Sequence, residues 1–202
     1  MTVYPFCHMS REEFLAEFDE LHLLGAQIAE EDPERAIRQL EDLFIHAYML
    51  GRKHTCDELD EADWAYFEDL MQDREHAEAL MNTIYRRIED KDFADRLREH
   101  MANDTPGLIS TLIETEFHRD YCAGGESLAE DYRDKSGLEP MKRWATVGDD
   151  RVRDTHFYLH GRVVRLGEDF YTYDGDHAPY PGRFMDAANN VNCRCWITYT
   201  LG

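Results

Sequence analysis

Two histidines and two cysteines near the C-terminal end of the chain have the residue types and spacings of a metal site. His156 and His160 are four residues apart, so both side chains lie on one face if this stretch is helical. Cys193 and Cys195 are two residues apart, so they lie on one side of an extended chain. Two imidazoles and two thiolates satisfy the tetrahedral coordination of zinc, and such a site would join a short helix to a terminal strand.

The same four residues also fit a core that holds no metal. Cysteine is often buried simply as a small hydrophobic residue, and Cys-x-Cys is less typical of zinc than Cys-x-x-Cys. The sequence therefore leaves two interpretations open, a zinc site and a metal-free Cys/His core. The five cysteines of the chain do not have the spacing of a disulfide framework, and we expect them to be reduced.

A catalytic role for these residues is the weaker interpretation. A nucleophilic cysteine needs a neighbouring base and a positioned oxyanion donor, and no catalytic signature surrounds Cys193 and Cys195. His156 and His160, together with Arg151 and Arg153, could instead suggest a nuclease, in which an imidazole acid and base flank a phosphate. Arginines that pair with nearby aspartates and hold a turn are the favoured alternative. We therefore expect no enzymatic activity.

Strand and turn signals around these residues predict an α+β arrangement. β-Branched and aromatic residues predict strands at 142–147, 162–166 and 195–201. A short helix lies between the first two strands and ends near Gly161. If the first strand pairs with the last, Trp144, Trp196 and Val163 share one core.

The first 104 residues predict an acidic helical domain. Apolar residues recur there at helical spacing, and no repeat of 20 to 50 residues is present. Phe44 and Tyr48 belong to an apolar stripe that we expect to pack in the core of a helical bundle, with a partner-binding groove as the alternative. The whole chain is therefore predicted to be α+β, with a helical domain at 1–104 followed by a small α+β module at 105–202.

The module at 105–202 begins with a predicted helix at 105–122, which Gly124 and Gly125 would end. Short motifs follow in a fixed order, namely Trp144-x-Thr146, Asp150-Arg151-Val152-Arg153, His156-x-x-x-His160-Gly161, Pro181-Gly182 and Asn192-Cys193-Arg194-Cys195. In this combination the module resembles the phage Mu F-like family of minor head proteins. The resemblance covers about half of the chain.

The resemblance implies a structural minor head protein, or minor capsid protein, of a tailed phage or prophage. Such proteins are encoded beside the portal gene, so the implied partners are the portal and the major capsid protein. The implied role is head assembly, DNA packaging or DNA ejection. The implied location is the virion, inside the head and near the portal, with the host cytoplasm before assembly.

Two other classes of function stand as alternatives. An acidic surface can imitate DNA, so the chain could be an interaction or inhibitor protein that targets a host DNA-binding protein. A small nuclease or toxin domain is the less favoured alternative. Copurification with capsid or portal would separate the head protein from the inhibitor.

Charge is unevenly distributed along the chain. Residues 140–202 hold eight basic and eight acidic residues, so the first 139 residues, with 14 basic and 35 acidic ones, account for the net charge of −21. Such a surface repels phosphate, and we expect no non-specific DNA binding by the N-terminal part. No apolar run approaches the roughly 20 residues that span a bilayer, so we expect no contact with a membrane.

Overall fold

The computed structural model describes residues 24, 27–28, 30–59 and 91–201. The apolar spacing in the sequence also predicts helices around Phe14 and Trp64, and these lie outside the described residues. In chain order, the elements are α1 (Pro33–Leu59), α2 (Lys91–Ala102), α3 (Pro106–Ser136), β1 (Pro140–Thr146), α4 (Asp154–Phe157), β2 (Val163–Arg165), β3 (Phe170–Tyr171), β4 (His177–Ala178), α5 (Ala187–Asn190) and β5 (Cys195–Leu201). Within these ranges, no helix is both long and apolar enough to cross a membrane.

The sheets confirm the predicted α+β class. β1 is the central strand in the order β2-β1-β5, and it pairs antiparallel with both neighbours. β3 and β4 form a separate antiparallel ribbon. β5 covers the same residues as the predicted terminal strand, because its β-branched and aromatic residues favour an extended chain. The acidic helical bundle at 1–104 stays a prediction, since the structure describes only part of that range.

The register of β1 and β5 separates the two tryptophans. Ala145 pairs with Trp196, and Trp144 pairs with Ile197. Because side chains alternate along a strand, the two indoles point to opposite faces of the sheet. Trp144 packs against aromatic rings of the C-terminal loops, whereas Trp196 packs with the helices. The prediction that both tryptophans share one core with Val163 is therefore wrong, and Val163 is 45% exposed.

α3 runs through Gly124 and Gly125, where the sequence predicts its end. The predicted end is wrong because glycine here serves the contact between α1 and α3. A Cβ atom on Gly124 would lie 2.0 Å from the carbonyl oxygen of Tyr48, and a Cβ atom on Gly51 would lie 1.9 Å from that of Tyr121. The two helix backbones are in direct contact, which requires residues without a side chain.

One apolar core contains residues from both halves of the chain. Phe44 and Tyr48 of α1 are buried in it, as the apolar stripe predicts. Ile113 of α3 and Trp196 of β5 belong to the same core. Among the described residues, the core therefore continues across the predicted boundary at residue 104.

The close helix contact predicts a large effect of one added methyl group. We expect Gly124→Ala to destabilise the protein by about 3 kcal/mol, because the new Cβ atom would push α1 and α3 apart. Gly107→Ala is the matched control in the same helix, because a Cβ atom there meets nothing within 4 Å and alanine favours a helix. Urea unfolding measures both free energies. Equal stability of the two variants would contradict the contact.

A buried polar network connects the sheet to both long helices. Lys142 of β1 donates to Glu126 of α3 over 2.7 Å, and the hydroxyl of Tyr199 donates to the other oxygen of Glu126 over 3.0 Å. The backbone N–H of Tyr199 donates to Glu58 of α1 over 2.7 Å. Burial raises the pKa of Glu58 to about 8, although the N–H of Tyr199 opposes the shift. The Glu58 carboxyl is therefore mostly protonated at neutral pH.

The raised pKa of Glu58 makes stability depend on pH. An ordinary glutamate has a pKa of 4.5, so the folded state binds an extra proton between that pH and about 8. The free energy of unfolding should therefore fall as pH rises through this window, by up to about 1.4 kcal/mol per pH unit.

Glu58→Gln should flatten this dependence, because glutamine stays neutral. Glu99→Gln, at an exposed site on α2, should keep the wild-type slope. Urea unfolding across the pH window measures each slope. An unchanged slope in Glu58→Gln would show that the buried carboxyl is not the titrating group.

Candidate metal centre

His156, Cys193 and Cys195 form a group of three buried side chains that could hold a metal ion, called here the metal-ligand group. His156 lies on α4, Cys193 precedes β5, and Cys195 is the first residue of β5. Nδ1 of His156 lies 3.4 Å from the sulfur of Cys193 and 3.5 Å from the sulfur of Cys195. Nitrogen and sulfur ligands of a tetrahedral zinc ion lie about 3.6 Å apart, so this spacing suits zinc.

Two aromatic rings fix the orientation of His156. Its imidazole stacks on Phe184 with 5.0 Å between the ring centroids and meets Trp144 edge-on at 5.9 Å. Nδ1 faces the two sulfurs, whereas Nε2 is buried and has no hydrogen-bond partner in the described part of the chain. The rings therefore present Nδ1 to the cysteines.

The loop between β4 and α5 holds Phe184 against the imidazole. The side chain of Asn190 accepts from the N–H of Phe184 at 2.9 Å and donates to its carbonyl at 2.8 Å. Asp176 anchors the loop, because it accepts from the side chain of Asn189 at 2.7 Å and from the N–H of His177 at 2.8 Å. Burial alone would raise the pKa of Asp176, but these hydrogen bonds outweigh burial and lower it. The sequence does not predict this role of Asp176, because the only signal for it is its position in a loop that is rich in turn residues.

Pairing of β5 with β1 positions the two cysteines. Cys195 pairs with Thr146, and the N–H of Val147 donates to the carbonyl of Arg194 at 3.1 Å. The side chain of Arg194 forms an ion pair with Asp149 instead of entering the metal-ligand group. Alternation of side chains along the chain thus brings both thiols to one side.

His160 lies outside the metal-ligand group. α4 ends at Phe157, so the helical spacing that predicts a face shared with His156 does not reach residue 160. The His160 ring is exposed, and its Nδ1 accepts from the N–H of Thr146 at 3.2 Å. The structure thus brings together three of the four predicted ligands and leaves His160 at the surface.

The pKa values of the two cysteines of the group are shifted in opposite directions. Burial would raise the pKa of Cys193, but hydrogen bonds with Cys195 and His156 outweigh burial and hold this pKa well below its usual range. Burial, together with the adjacent Cys193, raises the pKa of Cys195 well above its usual range. Cys193 therefore loses its proton more readily than Cys195. A thiolate is the form of cysteine that binds metal.

Sequence reasoning missed His118 and Cys122, two buried residues of α3 that lie beside the metal-ligand group. Nε2 of His118 is 2.6 Å from the carbonyl oxygen of Cys195 and 3.7 Å from the sulfur of Cys122. Burial raises the pKa of the Cys122 thiol, and negative charge on Cys193 raises it further. The sequence contains a signal for this pair, because His118 and Cys122 are four residues apart on a predicted helix.

The three side chains of the metal-ligand group are buried, so a substrate cannot reach the thiols in the folded protein. Arg153 is one of the two arginines on which the nuclease alternative depends. Its guanidinium donates a hydrogen bond to the carbonyl of Val191. The backbone N–H of Arg151 donates to Asp149 at 3.2 Å. The guanidinium of Arg153 therefore holds a turn, whereas Arg151 contributes its backbone N–H and its side chain is exposed.

A known family, described as Phage Mu protein F like protein, matches residues 74–198. The chain belongs to this family. The resemblance in the motifs is thereby confirmed, and the matched Mu F-like region contains α2, α3, the metal-ligand group and the sheets except the last three residues of β5. It begins earlier than residue 105, where the motifs place the start of the module.

Two curated proteins are similar to parts of this Mu F-like chain. Minor head protein GP7 of Bacillus phage SPP1 is 32% identical over 87 residues, which are 43% of this chain and 28% of that protein. The NAD(+)-arginine ADP-ribosyltransferase EFV of Enterococcus faecalis is 39% identical over 59 residues, which are 29% of this chain and 12% of that protein. The chain thus spans under a third of the length of either relative. No solved structure matches it significantly.

Proposed function

We propose that this Mu F-like chain is a structural, non-enzymatic minor component of the head of a tailed phage or prophage. The family match over residues 74–198 carries the proposal, and the similarity to a protein named as a minor head protein supports it. The metal-ligand group agrees with this role, because a buried and closed site of this type stabilises a fold.

The similarity to an ADP-ribosyltransferase does not favour an enzymatic role. The aligned segment is 12% of that protein, which is too small a part to carry its activity over to this chain. An enzymatic activity requires a site that a substrate can reach. The candidate site in the described residues is buried and closed to a substrate.

The proposed partner is the portal, inside the head, with the major capsid protein as a second contact during head assembly or DNA packaging and ejection. The acidic first 139 residues support a protein partner, because their 35 acidic and 14 basic residues repel DNA. Phe44 and Tyr48 are buried and cannot anchor a partner. Among the described residues, the exposed aromatic side chains that could do so are Phe157, Tyr158, Tyr171 and Tyr173.

Binding of the full chain to the portal of the same phage should depend on salt. Acidic surfaces accelerate the encounter with a basic protein, so raising the salt concentration should lower the association rate by about tenfold and change the dissociation rate much less. Surface plasmon resonance with immobilised portal measures both rates, and duplex DNA at physiological salt is the control. Binding to DNA instead of portal would contradict the proposal, and capture of a host DNA-binding protein would favour the inhibitor alternative.

Zinc is the metal that we propose for the metal-ligand group. One imidazole and two cysteines are typical zinc donors, and their spacing is that of ligands around one small ion. Bound there, zinc would supply a crosslink between α4 and β5. Thiolate ligands require loss of the Cys195 proton on binding, so affinity should fall at low pH.

Protein purified without metal-affinity resin should contain about one zinc per chain by elemental analysis. Cys195→Ser should lose the zinc and lower the melting temperature, because it removes a ligand. His160→Ala is the matched control and should keep the zinc, since its ring lies outside the group. Less than about 0.2 zinc per chain in the wild type, with an unchanged melting temperature in Cys195→Ser, would leave the metal-free core as the correct interpretation.

A further inference from the structure

Three ligands leave one position of a tetrahedral zinc ion to be filled. We infer that Cys122 of α3 fills it, so that three cysteines and one histidine hold the zinc. This inference rests on the zinc site proposed above and extends it to a further element of the fold. The metal would then join the long helix α3 to α4 and to β5.

His118 places this part of α3 directly against the metal-ligand group. Its Nε2 donates to the carbonyl oxygen of Cys195 over 2.6 Å, which fixes the helix to the first residue of β5. Cys122 lies one turn further along the same helix face, with its sulfur 3.7 Å from that nitrogen. One imidazole nitrogen is therefore in contact with both Cys122 and the backbone of a ligand.

A change of the Cys122 rotamer is the movement that we expect on binding. The sulfur of Cys122 is not one of the three ligand atoms that lie within 4.8 Å of one another. Cysteine has a single side-chain torsion before its sulfur, with three staggered positions, so the sulfur can turn without movement of the helix. Zinc–sulfur bonds of about 2.3 Å would draw the four donors together.

Cys122 is a better fourth ligand than its neighbours. The Nε2 atom of His118 is already engaged by the carbonyl of Cys195, so His118 acts as a positioning residue. A water ligand is typical of an open catalytic site, whereas this group is buried. Cys56, also buried, lies on α1, whereas Cys122 lies on α3, the helix that His118 fixes to the carbonyl of Cys195.

Cobalt(II) substitution tests the inference, because absorbance from sulfur-to-cobalt charge transfer increases with the number of thiolate ligands. The full-length Cys122→Ser variant should show about one third less of this absorbance than the wild type, and its zinc affinity should fall at least about tenfold. Cys56→Ser is the matched control, a buried cysteine replaced in the same way, and it should retain the wild-type values. X-ray absorption of the wild-type zinc protein should find three sulfur ligands and one nitrogen, a measurement that needs no variant to fold.

The possible results separate this inference from the zinc proposal. A wild-type protein that binds neither cobalt nor zinc overturns both. A wild-type protein that binds one ion with two sulfur ligands, while Cys122→Ser behaves like Cys56→Ser, overturns the role of Cys122 and leaves the three-residue site in place.

Discussion

Backbone contact between α1 and α3 is the constraint on which the other contacts depend. Because Gly51 and Gly124 have no side chain, the helices approach until a carbonyl oxygen of the opposite helix lies about where the Cβ atom of each residue would be. That approach determines where each helix meets the sheet. It brings Glu58 of α1 to a backbone N–H near the end of β5, and it brings His118 of α3 to the carbonyl of the first residue of β5. β5 is thus fastened to both helices, at opposite ends of the strand.

The buried ion pair of Lys142 and Glu126 adds specificity to this packing. A charged pair removed from water contributes little net stability, because desolvation cancels most of the attraction. A shifted alignment of β1 on α3 would separate the pair and leave two buried charges, which costs several kcal/mol. The carbonyl of Pro179 and the hydroxyl of Tyr199 complete the hydrogen bonds of the pair. The network therefore selects one alignment, while the apolar clusters supply most of the stabilisation.

Features that depend on neighbouring residues could be predicted from the sequence, and features that depend on packing could not. The β-branched and aromatic run at Cys195–Leu201 is sufficient to form a strand. Gly124 is a local signal for the end of a helix, and its partner Tyr48 is too distant in the chain to correct that signal. His160 illustrates a related limit, because a spacing of four residues predicts proximity where the helix continues, and α4 ends first. The predicted proximity of Cys193 and Cys195 depends only on an extended chain and not on a helix, and their two thiols lie together.

The central position of β1 has a consequence for synthesis on the ribosome. β1 needs a neighbour on each side, and both of its neighbours lie later in the chain. α1 and α3 can pair before β5 emerges, but Trp196 cannot enter their core until then. Pairing between distant segments is slow and leaves apolar surface exposed in the meantime. A nascent chain halted before residue 195 would present a helical pair with an open apolar face, which is the kind of surface that chaperones bind.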